Sequence, residues 1–153
     1  VPKINTVINI AFIGYFVNYK GGDIFIQLSK IKTYKNFKIN YHIFGNICEN
    51  IINIIPNNII IHNKYDDSTI IDNLHKFNIH GIMHLSIFEE SYCYALSKSI
   101  NSGIPIFYIN NGCLPDRLIN NSKCFNTNLN NIYDNYNNFL KYIFENELIP
   151  TTT

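Results

Sequence analysis

The stretch VINIAFIGYFVNYKGGDIFIQLSKI, residues 7–31, decides the fold class of this chain. Its first part, VINIAFIG, is a continuous apolar run that ends at Gly14, which is typical of a strand covered on both faces of a sheet. Its last part, 23–31, has apolar residues at helical spacing and begins with Asp23, a good N-cap residue. Strand, glycine-containing loop and helix in this order predict the first unit of an α/β domain.

The same alternation continues along the chain. Further strands are predicted at 39–45, 57–65, 80–86 and 104–109, and further helices at 66–77, from 89 to the stop signals Gly103 and Pro105, and at 129–147. The pattern predicts a Rossmann-like three-layer sandwich with a mostly parallel sheet and right-handed crossovers. Ligands of such sheets bind at the carboxyl ends of the strands. The loops that follow the strands, at Gly14, Gly45, Ser86 and Asn110, are therefore expected to meet at one rim.

Length and composition exclude several other classes of protein. A chain of 153 residues predicts one domain, 1–153, with a short tail at 148–153. The sequence contains no apolar run long enough for a membrane span, and its N-terminus does not resemble a secretion signal. Its 12 basic and 11 acidic residues are scattered, which argues against a nucleic-acid partner. The 4 cysteines form no CxxC pair, so reduced thiols and a cytoplasmic location are predicted.

The loop YKGGD, residues 19–23, is the first candidate site. Its glycines would let the backbone approach an anion, the start of the following helix is positively polarised, and Lys20 adds a full charge. Lys20 and Gly21 are therefore candidate phosphate-binding residues. A tight turn with a solvated lysine is the structural alternative, because a short Gly-Gly loop is a weak phosphate signal.

The second candidate site is the start of the helix predicted after the 80–86 strand. Glu89 and Glu90 precede this helix, and Ser91 could cap it. Exposed N–H groups there could hold a ligand hydroxyl or phosphate, while Glu90 could accept hydrogen bonds from sugar hydroxyls. The alternative is that both carboxylates only stabilise the positive end of the helix.

The histidines give one further candidate. His80 and His84 are four residues apart, so within a strand they would share a face. The sequence offers no third ligand for a zinc ion beside them. His84, near the end of its strand, is the better functional candidate because it is expected to face the rim.

Taken in order, these segments resemble the C-terminal, donor-binding half of retaining glycosyltransferases with the GT-B fold, in the large family-four group. The likeness covers about 7–118. IAFIGYFVNYKGGD resembles the first strand and the glycine-lysine loop of the family, and INYHIFG resembles its next strand. NNIIIHNKYDDSTIIDNL resembles the strand and short helix that follow. The most specific match is IFEESYCYALSKSINSGIPIFYINNGCLPDRL, residues 87–118.

The resemblance implies roles for individual residues. In the family, a Glu that contacts the donor sugar is followed eight positions later by a second Glu, which usually holds the ribose hydroxyls. The first position is Glu90, the implied catalytic residue, and the second is Lys98, which donates hydrogen bonds but cannot accept them. Tyr15 stands where many members have an Arg that helps to neutralise the pyrophosphate. The donor-binding residues implied are Gly14, Lys20, Gly21, His84, Ser91, Tyr92 and Lys98.

The resemblance also implies an activity and partners. The expected reaction moves a sugar from a nucleotide diphosphate sugar to an acceptor hydroxyl with retention, in glycan or polysaccharide synthesis, without a bound metal or other cofactor. The expected partner is an N-terminal, acceptor-binding GT-B domain in the same longer protein, and base selection is expected near Gly45 and in the 64–65 loop. Lys98 and Tyr15 leave open a degenerate, non-catalytic binding or assembly module. An unrelated doubly wound domain, such as a flavodoxin-like or receiver domain, fits the 90–117 stretch less well.

Overall fold

The structure is a computed structural model that describes residues 7–87, 94–110, 118 and 123–147. The strands are β1 (Val7–Ile13), β2 (Thr33–Tyr34), β3 (Phe37–Phe44), β4 (Ile59–Ile61), β5 (Gly81–His84), β6 (Ile106–Ile109) and β7 (Cys124–Thr127). The helices are α1 (Gly22–Leu28), α2 (Ile70–Lys76), α3 (Tyr94–Ser102) and α4 (Ile132–Asn146). No helix in these described ranges is long and apolar enough to cross a membrane.

All the strands belong to one sheet, in which β3, β1, β5, β6 and β7 are neighbours in this order. These strands run parallel, and β4 adds a further parallel pair at the outer side of β3. Only β2 is antiparallel, against the first residues of β3. The chain winds in one direction from β1 to β3 and β4, and in the other from β5 to β7. The place where the direction reverses, between β1 and β5, is where ligands of such sheets bind.

The two faces of the sheet are covered by different pairs of helices. On one face, α1 and α4 pack against alternate residues of the strands, such as Ile10, Tyr41 and Met83. On the other face, α2 and part of α3 pack against the intervening residues, such as Ala11 and Ile82. This alternation follows from the period of two in a strand, and it confirms the predicted three-layer α/β fold with a mostly parallel sheet.

The C-terminal helix shows why the sequence folds in this way. Its apolar residues recur every three or four positions, so they form one stripe along the helix. The whole stripe is buried against the sheet; it consists of Ile132, Tyr136, Phe139, Leu140 and Ile143. Gly81 makes this packing possible, because a Cβ there would lie 2.8 Å from the ring of Phe139.

The structure differs from the sequence-based expectations in a helix cap, in two further strands and in the length of two elements. The strand predicted at 57–65 is only Ile59–Ile61, and the helix predicted at 66–77 is Ile70–Lys76. Helix α1 begins at Gly22, with Gly21 as its left-handed N-cap, so the prediction of Asp23 as N-cap is wrong. The Asp23 carboxylate instead accepts a hydrogen bond from Ile24 N–H within the first turn. Strands β2 and β7 were not predicted. Strand β7 lies at the edge of the sheet, and its sequence, CFNT, has no continuous apolar run.

Candidate functional site

The rim of the sheet is formed where β1 and β3 end in glycines. Gly14 N–H donates to Phe44 O at 2.9 Å, so the chain leaving β1 stays beside β3. Gly14 and Gly45 have φ angles of 123° and 143°, a conformation that other residues rarely adopt. A Cβ at Gly45 would overlap the carbonyl group of Gly14. The two loops therefore cross in direct backbone contact, which only glycine permits.

Backbone hydrogen bonds extend this contact beyond the glycines. Phe16 N–H donates to Asn46 O at 2.9 Å, and Cys48 N–H donates to Phe16 O at 3.0 Å. On the other side, Gly45 N–H donates to Asn63 O at 2.9 Å, which ties the end of β3 to the chain leaving β4. Three consecutive loops of the rim are thereby held side by side.

A cavity of about 760 Å³ opens between these loops. Its lining comes from the ends of β1, β3 and β4, and consists of Gly14, Tyr15, Gly45, Asn46, Lys64, Tyr65, Asp66 and Asp67. The volume lies within the range of about 300–1,000 Å³ that is usual for sites of small molecules and cofactors. The cavity therefore lies at the carboxyl ends of the strands, where ligands of such sheets bind, but on the β3 side of the point between β1 and β5 where the winding reverses.

The lining combines charged groups with aromatic rings. Lys64 is exposed in the wall, and Tyr15 is 41% exposed, with a hydrogen bond to Cys48 that raises the pKa of its hydroxyl. The Asp66 carboxylate accepts hydrogen bonds from Ser68 N–H at 3.0 Å and from Ser68 Oγ at 2.9 Å. These hydrogen bonds lower the pKa of Asp66 and orient its side chain in the turn before α2. The cavity thus offers a cation, the oriented carboxylate of Asp66 and the rings of Tyr15 and Tyr65, on which a planar group could stack.

The glycine-lysine loop lies on the β5 side of the rim. A Cβ at Gly21 would overlap the carbonyl oxygen of Leu85, so this glycine allows the loop to rest on the chain leaving β5. Ser86 Oγ donates to Tyr19 O at 3.3 Å and joins the same two segments. Lys20 is half-buried at the end of the turn before α1. Close packing explains Gly21 without a ligand, and the role of Lys20 and Gly21 in phosphate binding stays a prediction.

His84 lies beneath α3. Its side chain is 6% exposed, and its Nε2 lies 2.8 Å from Ser99 Oγ, which donates in turn to Ala95 O at 3.1 Å. His84 Nε2–H is therefore the donor to Ser99, and this hydrogen bond attaches α3 to β5. His80 is a different case: its Nδ1 accepts a hydrogen bond from the backbone N–H of Asn9. Within the described ranges, no group of three or more His, Cys, Asp or Glu side chains is arranged to hold a metal ion.

Helix α3 brings Lys98 near the rim. A Cβ at Gly14 would lie 3.8 Å from the Cβ of Ala95, so the first turns of α3 approach the end of β1. Lys98 is one turn further along α3 and is half-buried. It does not line the cavity of about 760 Å³. Glu90, Ser91 and Tyr92 lie outside the described residues, so their predicted roles stay predictions.

The structure thus places the sequence-predicted residues in three groups. Gly14 lines the cavity, Lys20 and Gly21 lie in the adjacent loop on Leu85, and His84 and Lys98 belong to β5 and α3. Asn110 pairs with Thr127 two strands away from β1 at the same edge of the sheet. The sequence analysis did not single out Asn46, Asp66 or Asp67 as site residues. The signal was available, because each follows a strand at the predicted rim.

Comparison with solved structures assigns this architecture to a known fold. No protein-family model and no curated protein sequence matches the chain. The fold is that of one half of a GT-B glycosyltransferase, which confirms the fold inferred from the resemblance. The identities of the three matches described next show a shared fold rather than a shared activity.

HepE from Anabaena, solved in complex with UDP and glucose, matches with a TM-score of 0.71 and 13% identity, over 93% of this chain and 40% of HepE. The C-terminal domain of LpcC, a group 1 glycosyl transferase from Francisella tularensis, matches with a TM-score of 0.70 and 13% identity, over 92% of this chain and 77% of that chain. The lipopolysaccharide outer core galactosyltransferase WaaB matches with a TM-score of 0.69 and 16% identity, over 93% of this chain and 41% of WaaB. This chain therefore spans less than half the length of HepE and WaaB.

Proposed function

We propose that this chain is the donor-binding half of a retaining glycosyltransferase. It would bind a nucleotide diphosphate sugar at the rim and, within a longer protein, transfer the sugar to an acceptor hydroxyl in glycan or polysaccharide synthesis. The observation that supports this most is the cavity of about 760 Å³ at the crossing of Gly14 and Gly45. It lies at the ligand-binding edge of a fold shared with HepE, which was solved in complex with UDP-glucose.

The chemistry requires positive charge where the diphosphate leaves. Charge that develops on a leaving group is stabilised best by donors and cations that are already in place. Lys20, in the loop fixed on Leu85, and the exposed Lys64 in the cavity wall are the cations that this side of the rim offers. The proposal assigns this task to the chain's own groups, with no bound metal, and assigns the contact with the donor sugar to Glu90.

The acceptor would be held by a second GT-B domain. The chain spans 40% of HepE, and we propose that an N-terminal domain of the same longer protein supplies the other side of the cleft. The exposed apolar side chains of Tyr15 and Tyr19, at the rim of the sheet, provide surface for such a domain.

Lys98 favours a second candidate function, a glycosyltransferase-like module that binds nucleotide without turnover. A lysine donates hydrogen bonds only, so it cannot accept hydrogen bonds from two ribose hydroxyls as a carboxylate does. No described acidic side chain forms an ion pair with Lys98, in contrast to Lys123, which pairs with Glu147. A site with this lysine would hold a nucleotide less firmly, unless the ammonium contacts a phosphate.

Calorimetric titration at low salt tests the donor site. UDP, GDP, TDP and UDP-glucose would be titrated into the native chain, into Lys98→Glu and into Lys141→Glu, a control at an exposed position of α4. We expect one base to be bound in preference, and Lys98→Glu to bind that nucleotide about tenfold more tightly, which corresponds to about 1.4 kcal/mol. Lys141→Glu should leave the affinity unchanged.

The other outcomes separate the candidates. Weaker binding by Lys98→Glu would make Lys98 a positive contact of the ligand and contradict the argument from ribose. If neither the native chain nor Lys98→Glu binds any nucleotide, the proposed donor site is wrong for this chain. Binding without sugar transfer by the full-length protein, unchanged by Glu90→Ala, would favour the module without turnover.

A further inference from the structure

A row of hydrogen-bonded polar residues crosses the sheet beneath the cavity, on the face covered by α2. We call it the histidine relay; it consists of Asn9, His42, His62 and His80. His42 Nδ1 lies 2.9 Å from His62 Nε2, and His42 Nε2 lies 3.0 Å from Asn9 Oδ1. Asn9 N–H donates to His80 Nδ1 at 2.9 Å. The relay therefore links the residue after β4 to β3 and β1 by side chains, and links β1 to the residue before β5 through the backbone N–H of Asn9.

The hydrogen bonds assign a neutral tautomer to each imidazole. Asn9 Nδ2 donates to Asn78 O at 3.2 Å, which leaves Asn9 Oδ1 as the acceptor for His42 Nε2–H. His42 Nδ1 is then the acceptor for His62 Nε2–H. His80 Nδ1 must be unprotonated, because a backbone N–H can only donate. With one proton on each of His42, His62 and His80, every hydrogen bond of the relay joins one donor to one acceptor.

Ring stacking strengthens the end of the relay that lies nearest the cavity. The rings of His62 and Phe44 are parallel within 2°, with centroids 4.1 Å apart. Phe77, which follows α2, covers His62 with a centroid distance of 4.5 Å. His42 lies edge to edge with His62, with a centroid distance of 5.2 Å and an angle of 10° between the ring planes, as their hydrogen bond requires. The imidazole of His62 is thus held by β3 and by the end of α2.

This end of the relay adjoins the cavity wall directly. His62 N–H donates to Ile43 O at 2.9 Å, and Gly45 N–H donates to Asn63 O at 2.9 Å. Asn63 adopts a left-handed conformation with φ 63°, and Lys64, the next residue, lines the cavity. The position of this wall therefore depends on how firmly His62 is held against β3.

The surroundings of the relay provide no charge that would favour an imidazolium. From α2, Asp72 and His75 are exposed, and Lys76 Nζ lies 5.6 Å from the ring centroid of Phe77. From β5, His84 is hydrogen-bonded to Ser99. Within the described ranges, no carboxylate forms a hydrogen bond or ion pair with a relay histidine, and the side-chain hydrogen bonds of these histidines are made with Asn9 and with each other.

Burial reinforces the geometry. Desolvation, followed by the neighbouring His62 and His80, lowers the pKa of His42 to about 4. Burial also lowers the pKa of His80 to about 4 and lowers the pKa of His62. An unfolded histidine has a pKa of about 6.5, so the unfolded chain binds more protons between these values. The stabilisation is complete above about pH 6.5 and is lost as the pH falls towards 4.

We propose that the histidine relay positions the β4 wall of the rim cavity and releases it in mild acid. A second proton on His42 removes the acceptor of His62 Nε2–H, and the hydrogen bond is then kept only if His62 moves its own proton to Nδ1. When His42 and His62 both carry a second proton, two donors face each other and His62 moves away from β3. The consequence is a cavity that is held open for ligand near neutral pH and loosens as pH falls. This inference concerns the wall and holds whichever ligand the cavity takes.

Amide hydrogen exchange of the ligand-free chain between pH 7 and pH 5 is the direct test. Protection factors, corrected for the intrinsic exchange rate, would be measured at Gly45 and His62 in the wall. Ile82, whose N–H donates to Pro105 O at 2.9 Å in the centre of the sheet, is the internal reference. We expect protection at Gly45 and His62 to fall at least tenfold more than at Ile82. A parallel fall at all three amides would overturn the release of the wall.

Two His→Gln variants separate the relay from general acid denaturation. His42→Gln keeps a donor for Asn9 Oδ1 but cannot take up a proton, whereas His75→Gln makes the same change at an exposed position of α2. With His42 and His80 both gaining a proton on unfolding, the unfolding constant should rise about 50-fold between pH 6 and pH 5. In His42→Gln the rise should be about sevenfold, and in His75→Gln it should stay as in the native chain.

A third variant tests the relay while keeping the hydrogen bond between positions 42 and 62. His62→Gln keeps the donor to His42 Nδ1, and its amide can turn to accept a hydrogen bond from a protonated His42. We expect it to retain protection at Gly45 in acid. An unchanged pH slope in His42→Gln, together with unchanged loss of protection in His62→Gln, would show that the relay does not control the wall. No nucleotide takes part in these measurements, so they can fail independently of the proposed donor site.

Discussion

The two faces of the sheet differ in the polar side chains that they carry. The face under α1 and α4 is mostly apolar, and at its centre the hydroxyl groups of Tyr41 and Tyr136 lie 2.9 Å apart. A second side-chain hydrogen bond, from Asn135 Nδ2 to Thr127 Oγ1, lies at the β7 side of this face. The face under α2 and α3 carries the histidine relay, of which His42 is buried, and the buried hydrogen bond between His84 and Ser99. In the described part of the chain, every buried side-chain N or O atom has a hydrogen-bond partner.

The two faces therefore differ in how their contribution to stability depends on pH. An apolar face with neutral hydroxyls stabilises the fold equally at any pH from 5 to 8, because neither group titrates there. Burial raises the pKa of Tyr41 and of Tyr136 above the ordinary tyrosine value. On the other face, burial lowers the pKa of His42 and of His80 to about 4 and lowers the pKa of His62, so these imidazoles are neutral near pH 7 and gain protons in acid. The cavity and its relay lie at the end of the face that responds to pH, while the other face holds the sheet together.

The largest effect on stability is expected at the rim, where the loops after β1 and β3 cross. Gly45→Ala would force a Cβ into the carbonyl group of Gly14 and a side chain into φ 143°. We expect a loss of about 4 kcal/mol in the free energy of unfolding, measured by urea denaturation. Gly103→Ala is the matched control, because φ is 74° there and no atom lies within 4 Å of the new Cβ. It should cost about 1 kcal/mol. Equal costs would mean that backbone strain alone, and not the crossing of the loops, requires Gly45.

The next effect tests the apolar face through its tyrosine pair. Tyr41 O–H donates to Ile31 O at 2.6 Å, so Tyr136 O–H is the donor to Tyr41. Tyr41→Phe would leave the buried Tyr136 hydroxyl and the carbonyl of Ile31 without this hydrogen-bond partner. We expect the free energy of unfolding to fall by about 3 kcal/mol. Tyr136→Phe removes one donor and leaves the bond to Ile31, at a cost of about 1 kcal/mol.

Two controls complete this test. Tyr133→Phe, at a 53% exposed position of α4, should change the free energy of unfolding by less than about 0.5 kcal/mol. The costs of Tyr41→Phe and Tyr136→Phe should also be the same at pH 7 and pH 5. A cost that changes with pH would contradict the division between a neutral face and a titrating face.

The fold could be predicted because its central elements carry strong local signals. Strand β1 is apolar at every position but Asn9, and α4 presents one continuous stripe. Gly14 and Gly45 were predicted at the rim because each ends such a run. Strand β2 could not be predicted because it has only two residues. Strand β7 could not be predicted because its sequence, CFNT, contains too few apolar positions to indicate a strand.

The histidine relay shows what the sequence could not reveal. Asn9 and His42 are 33 positions apart, and Asn9 and His80 are 71 apart, so no local spacing connects them. Each looks like an isolated polar residue in an apolar strand. Their partnership depends on the register in which Asn9 pairs with Asn40 and Ala11 pairs with His42. Likewise, His84 was expected to face the rim, and only the packing of α3 shows that it bonds to Ser99.

The smallest effect concerns that hydrogen bond on the α3 face. Ser99→Ala would leave the buried His84 Nε2–H without its acceptor, and we expect a loss of about 1 kcal/mol in the free energy of unfolding. Ser29→Ala removes an equally buried hydroxyl that bonds only to the nearby Ile26 O, so it should cost less than about 0.5 kcal/mol. In a double-mutant cycle, Ser99→Ala should cost nothing further once His84 is Leu.

The outcome decides how α3 is attached to the site. A coupling between His84 and Ser99 would mean that this hydrogen bond holds α3, the helix that carries Lys98, in place on β5. An effect of Lys98→Glu on nucleotide affinity could then be attributed to the new side chain and not to a shift of the helix. If Ser99→Ala costs no more than Ser29→Ala, α3 is held mainly by apolar contacts such as those of Leu96. Helix α3 would then be free to shift with its neighbours, and an effect of Lys98→Glu on nucleotide affinity would have to be attributed partly to the position of the helix.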